Sequence, residues 1–387
     1  MLEVFGNVWP KRWPRLRIRP ETMATRGEYF HMSGRIKCGV LGAGWWATFA
    51  HIPALLAHPA AELVAIQKRD PKQARKVADD FGIPFACTTA EELFAIRDLQ
   101  AVVISSSPNL HYEQALGALK RGLHVLLEKP MTMTAAESEL LVQMADERGL
   151  QFLVSCPWHY TVHGVEARRL VRNGVLGPVR MTSVLMTNPI SHLLRGSSRY
   201  PTHGAPYLLP QEGTYSDPAI SGGGQGYAQV SHAAAYLSFL TGARPTEVFA
   251  RFHNDGAVVD LYDAINWKMS DGSIVSLAST GSTPTNRRDF EVRVFGTEGI
   301  LFLDLWRGRM ELVPMESEPL RYPDLQEAQI YPHSAPALNL IDSILDPLVN
   351  GSPAALGSAA MQVVEAAYRS ASSGENIVLS LTPGVSL

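Results

Sequence analysis

IKCGVLGAGWWATFAHIPALLAH, residues 36 to 58, is the stretch that decides the fold. IKCGVL is apolar at nearly every position, as a strand covered on both faces requires. Gly42 and Gly44 follow at once, with Ala47 three residues later, in a G-x-G-x-x-A pattern. WATFAHIPALLAH then has the spacing and length of a helix. Strand, glycine turn and helix in that order open a dinucleotide-binding βαβ unit. Gly42 permits the tight turn, Gly44 lets a pyrophosphate approach the backbone, and Ala47 lets helix and sheet pack closely. The free N–H groups of the helix start complete the cradle. Gly42, Ala43, Gly44, Trp45 and Trp46 are therefore candidate cofactor-binding residues.

The pattern repeats outward from this unit. ELVAIQ, AVVISSS, HVLLE and QFLVSC are further strand-like runs, separated by the helical stretches PKQARKVADDFG, LHYEQALGALKRG and TAAESELLVQMADERG. Alternation of this length predicts a parallel, doubly wound sheet, a Rossmann domain over residues 35–157. In such sheets ligands sit beyond the carboxyl ends of the strands. ELVAIQ ends at Gln67-Lys68-Arg69-Asp70. With Lys68 at the strand tip and Arg69 beside it, a 2′-phosphate is better matched than a ribose hydroxyl, so NADP is favoured over NAD. Asp70 would serve NAD if the register slipped, and a solvated charge cluster is the plain alternative. AVVISSS runs into Pro108, Asn109 and His111, and HVLLE runs into Glu128-Lys129-Pro130. Both clusters, with Ser105 and Ser107, point at the crevice where a nicotinamide would lie. A lysine at that lip can hold a substrate oxygen and exchange a proton with it.

After residue 157 the period changes. HGVEARRLVRNG reads as a helix, ended by Gly177-Pro178. VRMTSVLMTN, TEVFARFH, DAINWKM, SIVSLAST, FEVRVFG and ILFLDLW read as strands; in the last, Leu301, Leu303 and Leu305 share one face. GTEG and SDGS resemble hairpin turns. Residues 158–387 are thus expected to form a mostly antiparallel α+β domain, closed by helices around ALNLIDSILDPLV and SAAMQVVEAAYRSA. The Gly- and Pro-rich stretch 191–224, with Arg199, Tyr200, His203, Tyr207 and Tyr215, is expected to cover a substrate site, with a disordered loop as the plain alternative.

Composition excludes several classes. The 387 residues are 46% hydrophobic with a formal net charge of -3, which gives neither nucleic acid nor a membrane surface an electrostatic hold. Cys38, Cys87 and Cys156 are too few and scattered for a disulfide framework, and a cytoplasmic setting is expected. No apolar run approaches the roughly 20 residues that span a bilayer. Residues 1–34 are basic and Pro-broken, a flexible extension with Met32 as a candidate start, or an arm that docks on a neighbouring subunit.

The succession of G-x-G-x-x-A, SSSPNLHY, HVLLEKP and QFLVSCP, followed by GVLGPVR and GGGQGYAQVSH, resembles the Gfo/Idh/MocA oxidoreductase family over roughly residues 35 to 380. The resemblance implies a Rossmann domain followed by an open-faced β-sheet domain, expected to make a homo-oligomer, a dimer or tetramer, through that sheet. It implies NAD(P)-dependent oxidation or reduction at a hydroxyl-bearing carbon of a sugar, polyol or cyclitol. It also implies Lys129 as the catalytic lysine, with Pro108, Asn109, His111 and Glu128 lining the cofactor. The family commonly carries an Asp four residues before a substrate-facing His; here the His is His232 and that position is Ala228. Lys129 and His232 are therefore the catalytic candidates, with His159, Tyr160, Tyr215, Gln225 and Gln229 as candidate substrate contacts. His159 and His163 have a zinc-like spacing but lack a third ligand, so no metal is expected. Two other readings stay open: elimination or epimerisation with a retained cofactor, and a non-catalytic NAD(P)-binding regulator.

Overall fold

The computed structural model describes residues 34–198 and 206–380. Most of residues 1–34, and Arg199, Tyr200 and His203 of the expected cover, lie outside them. Six parallel strands, β1 (Ile36–Leu41), β2 (Ala61–Gln67), β3 (Phe85–Cys87), β4 (Ala101–Ile104), β5 (His124–Leu127) and β6 (Phe152–Val154), stand in the order β3-β2-β1-β4-β5-β6. That order reverses direction next to β1, which opens a crevice above the carboxyl ends of β1 and β4.

Successive side chains of these strands enter opposite layers. Leu41, Ile104, Val125 and Leu127 face helices His111–Lys120 and Ala135–Glu147, whereas Val40, Val103 and Leu126 face Ile52 and Leu55. All of these side chains are fully buried. Each contributes about 1.5–3 kcal/mol by leaving water. The helix ends follow local rules: Asp70 caps Pro71–Phe81 by accepting from Gln73 N–H at 2.8 Å, and Thr134 with Glu137 forms a capping box on Ala135–Glu147. β3 has no counterpart among the expected strands; three residues on a sheet edge, one of them the exposed Phe85, leave no periodic signal.

The second sheet has nine strands: β7 (Val179–Thr187), β8 (Pro245–His253), β9 (Tyr262–Met269), β10 (Ile274–Thr280), β11 (Asp289–Gly296), β12 (Gly299–Asp304), β13 (Arg309–Pro314), β14 (Leu320–Arg321) and β15 (Ile377–Val378). The order is β14-β13-β12-β11-β7-β10-β9-β8-β15, antiparallel throughout except for the parallel pair β7–β10. Strict alternation along β9 and β10 buries Ile265, Trp267, Val275 and Leu277 while Ala264, Asn266, Ser276 and Ala278 face out. The inner face packs on helices Val162–Arg172, Ser231–Thr241 and Ala354–Ser373.

The chain does not stay in the second unit once it has entered it. Helix Ala335–Leu345 inserts Ala337, Leu340 and Ile341 among Val40, Ile52 and Leu126, under the first sheet. Ser352 then pairs with Val154, its backbone oxygen accepting from Val154 N–H at 3.0 Å and its hydroxyl donating to Val154 O at 2.8 Å. The C-terminal segment therefore ties the two sheets together beside the crevice.

Candidate active site

β1 delivers the glycine turn to the crevice floor. Gly42 has φ +75°, and a Cβ there would lie 2.4 Å from Ser106 N and 2.5 Å from Ser106 Cα. Only glycine allows β1 and the loop after β4 to touch in this way. A Cβ on Gly44 would meet nothing nearer than Gly42 O at 3.8 Å, so the backbone there is open to a ligand. Ala47 is fully buried, and the chain enters the helix through a π-turn, Ala47–His51. The cradle thus has the shape that a pyrophosphate requires.

Gln67, the last residue of β2, turns inward: its Oε1 accepts from Gly42 N–H at 3.2 Å and its Nε2 donates to Thr88 O at 2.8 Å. With Gln67 and Asp70 engaged in local bonds, Lys68 and Arg69 are the cations left at the strand tip, and both line the cavity. Burial lowers the Lys68 pKa, with Asp70 pulling the other way.

The Glu128-Lys129-Pro130 corner, with a cis peptide before Pro130, sits at the end of β5. Glu128 is buried, and its Oε1 accepts from Trp46 Nε1 and His51 Nε2, both at 2.8 Å. Burial alone would raise its pKa. The His51 hydrogen bond and the charges of His51 and Lys129 outweigh this and hold the carboxyl below its ordinary value. Lys129 extends toward the second unit, where its Nζ donates to the Ala228 carbonyl at 3.1 Å. Burial lowers its pKa, against the pull of Glu128. A lysine so placed gives up its proton more readily than one in water.

His232 lies one turn beyond Ala228, after a second π-turn, Gly226–Val230. Its ring meets Trp158 edge-on at 5.3 Å, and its buried Nδ1 has no partner among the described residues. Burial, then the charge of Lys129, pushes its pKa well down, so the imidazole is neutral at working pH. These groups share one cavity of about 780 Å³. Its walls include Gly42, Ala43, Gly44, Trp45, Trp46, Ser105, Ser107 and Pro108 on one side, and Gln229, His232, Tyr215 and Asn188 on the other. Trp158, Trp306, Tyr331 and His333 build an aromatic wall, in which Trp306 stacks on Tyr331 at 5.3 Å and Arg288 lies over Trp306.

Five expected contacts fall outside that cavity. Asn109 is exposed beyond its rim. His111 is buried, with Nδ1 2.8 Å from Pro130 O and Nε2 3.1 Å from Ser106 O; it fastens the two motif loops to each other. His159 stacks on Phe239 at 4.4 Å, with Nδ1 2.9 Å from Ser352 Oγ. Tyr160 O–H donates to Asn339 Oδ1. Gln225 donates through Nε2 to Ser279 and Asn188, and its buried Oε1 has no partner among the described residues. For His111, His159, Tyr160 and Gln225, helix or turn rotation aims the side chain into the protein. Trp158, in the same WHYT motif, faces the cavity instead. Among the described residues no group of three metal-ligating side chains exists, and no helix is long and apolar enough to cross a membrane.

Two family models match this chain: an oxidoreductase family with an NAD-binding Rossmann fold over residues 36–156, and the GFO/IDH/MocA C-terminal domain over residues 165–302. The chain belongs to the Gfo/Idh/MocA oxidoreductase family. A dTDP-3,4-didehydro-2,6-dideoxy-alpha-D-glucose 3-reductase of Streptomyces antibioticus is 36% identical over 158 residues, 41% of this chain and 48% of that protein. A 1,5-anhydro-D-fructose reductase of Ensifer adhaerens is 27% identical over 286 residues, 73% of this chain and 79% of that protein. The chain spans about half the length of the first curated relatives it matches. The structure of a levoglucosan dehydrogenase in complex with NADH and levoglucosan superposes with a TM-score of 0.74 at 18% identity, covering 89% of this chain and 99% of that one. In Gfo/Idh/MocA terms, the Rossmann unit and open sheet stand as expected, with Ala228 offering a backbone carbonyl at the helix position before His232.

Proposed function

We propose that this Gfo/Idh/MocA member is an NAD(P)-dependent oxidoreductase acting on a hydroxyl-bearing carbon of a sugar, polyol or cyclitol-like substrate. The observation that carries the reading is the placement of Lys129. Its Nζ, with a lowered pKa, rests on the Ala228 carbonyl in the same cavity as the glycine turn and His232. A nicotinamide cofactor held by the glycine turn would supply hydride chemistry at the substrate carbon. Lys129 handles the proton on the substrate oxygen, accepting it during oxidation and returning it during reduction. His232, neutral, orients that oxygen through a hydrogen bond. Glu128 stays ionised, held by His51 and Trp46, and keeps the Lys129 corner rigid. Ser105, Ser107 and Pro108 bound the nicotinamide end, and Lys68 with Arg69 meets the ribose end, which supports NADP over NAD. The aromatic wall suits the apolar C–H faces of a ring, while Gln229, Asn188 and Tyr215 offer polar groups to its hydroxyls.

The reading extends to the setting. Residues 35–157 bind the cofactor and 158–387 shape the substrate side. The outward face of β7, β9 and β10, with Leu185, Ala264, Ser276 and Ala278, supports pairing with a second copy. Three free buried cysteines accord with a reducing, cytoplasmic environment. A panel of sugars, polyols and cyclitols, run with both cofactors in both directions and read at the nicotinamide absorbance, tests the activity. Stoichiometric cofactor turnover with one class supports it. Product formed without net cofactor change points to a retained cofactor, and cofactor binding without any turnover points to a regulator.

A further inference from the structure

The glycine-rich segment 222–226 is folded onto the carboxylate of Asp260. Asp260, in the connection between β8 and β9, is buried. Its Oδ1 accepts from Gly224 N–H at 2.9 Å, and its Oδ2 accepts from Gly226 N–H at 2.7 Å. Its backbone oxygen accepts from Gln225 N–H at 3.0 Å. Three successive N–H groups thus converge on one residue. The Tyr368 hydroxyl, from helix Ala354–Ser373, donates to Asp260 Oδ1 as well.

The glycines are dictated by this clamp. A Cβ at Gly224 would lie 2.1 Å from Asp260 O, and one at Gly223 would lie 2.1 Å from the Tyr368 hydroxyl. The Cβ of a residue replacing Gly226 would lie 2.8 Å from the Tyr368 ring. Tyr227, between the clamp and the helix, packs on Tyr368 with ring centroids 5.0 Å apart. Immediately afterwards the chain makes the π-turn Gly226–Val230, which presents the Ala228 carbonyl to Lys129 Nζ, and then starts the helix that carries His232. Ala228 N–H itself donates back to Gly224 O at 2.9 Å. One carboxylate outside the cavity therefore fixes the starting point of the turn that contacts the lysine.

We propose that Asp260 is a positioning residue for the reaction: by clamping Gly224 and Gly226 it holds the Ala228 carbonyl against Lys129 and sets the seat of His232. This rests on the reading of Lys129 as the group that handles the substrate proton. The groups that face Lys129 are Glu128, Cys156 and His232, so its titration reports on the turn once the loss of the Asp260 charge is controlled for. Asp263 lies against Asp260; burial, then the Asp260 charge and the hydrogen bond between the two side chains, push its pKa well up, so it stands beside the clamp as a neutral acid.

The test is a titration of Lys129 by competitive acetylation with acetic anhydride, read by peptide mass spectrometry in the full chain saturated with NADPH. Exposed Lys72 serves as the internal standard. Asp260→Asn is expected to bind NADPH within about twofold of wild type. Its Lys129 titration should fall by about one pH unit, the worth of one charge-assisted hydrogen bond. Turnover of whichever panel sugar the wild type uses fastest should fall at least about tenfold. Tyr368→Phe, which keeps the Asp260 charge but removes one of its donors, should move Lys129 the same way by less. A Lys129 titration that stays in place in both variants overturns the proposal. A shift in Asp260→Asn without any shift in Tyr368→Phe also overturns it, because charge alone would then account for the effect. If Asp260→Asn does not fold, Tyr368→Phe decides. Lys129→Ala run in parallel keeps the two claims apart: undiminished turnover there removes the reading of Lys129, whatever Asp260 does.

Discussion

Replacing Lys68 by Asp should invert the cofactor preference, because Lys68 and Arg69 put two cations at the ribose end of the cavity while Gln67 and Asp70 are engaged in local bonds. Gln67 bonds Gly42 and Thr88 and Asp70 caps the next helix through Oδ1, and Lys68 and Arg69 line the cavity beside them. A 2′-phosphate carries close to two negative charges. A charge-assisted hydrogen bond contributes about 1.5–3 kcal/mol when well made. At a half-exposed tip, screening and side-chain entropy reduce the sum of two such bonds to about 1.4 kcal/mol, a tenfold preference for NADP(H). Lys68→Asp removes one attraction, adds a repulsion, and supplies an acceptor for a free 2′-OH. The same magnitude with the opposite sign then gives about tenfold in favour of NAD(H), a swing of about a hundredfold. Calorimetric titration of both cofactors into wild type and variant measures it, and raising the salt should shrink both ratios. A wild type that prefers NAD(H), or a variant whose ratio does not move, would refute the assignment of the strand tip.

Three further outcomes follow from the same geometry. Lys129→Ala should lower turnover by at least about a hundredfold while cofactor affinity survives, as single-turnover kinetics and NADPH titration would register. Gly42→Ala places a methyl group 2.4 Å from Ser106 N at φ +75°, so cofactor binding should be lost and the melting temperature should fall, checked by thermal denaturation with and without NADPH. Because burial lowers the Lys129 pKa, oxidation should speed up as pH rises through a value below the ordinary lysine range, and reduction should slow through the same value. His232, already neutral, should add no second limb near neutrality; a limb that vanishes in His232→Gln would contradict that.

Much of this was legible in the chain. The runs IKCGVL, AVVI and HVLL declared buried parallel strands because they are apolar on both faces, and FEVRVFG and ILFLDL declared a one-sided sheet through their period of two. The GAG turn and EKP corner could be placed because each sits where a strand must end at the crevice. What stayed hidden is of two kinds. Asn188, Arg288, Trp306, Tyr331 and His333 come from distant segments, and no local period announces a wall assembled by tertiary packing. His111, His159 and Gln225 were visible as residue types, but rotation about a helix or turn decides where they aim, and the residue types alone do not announce that rotation. The chemistry-rich WHYT drew attention to its histidine, whereas Trp158 holds the cavity side.

The central claim is that a hydride passes directly between cofactor and sugar carbon in the cavity that Lys129 and His232 share. The measurement that meets it most directly is label transfer from reduced cofactor deuterated at nicotinamide C4, run with the keto form of the panel substrate turned over fastest. The account predicts one deuterium per product molecule, bound to the carbon that gains the hydroxyl, and the same label in the at least about hundredfold smaller yield of Lys129→Ala over the same period. Unlabelled product formed at the wild-type rate would contradict it.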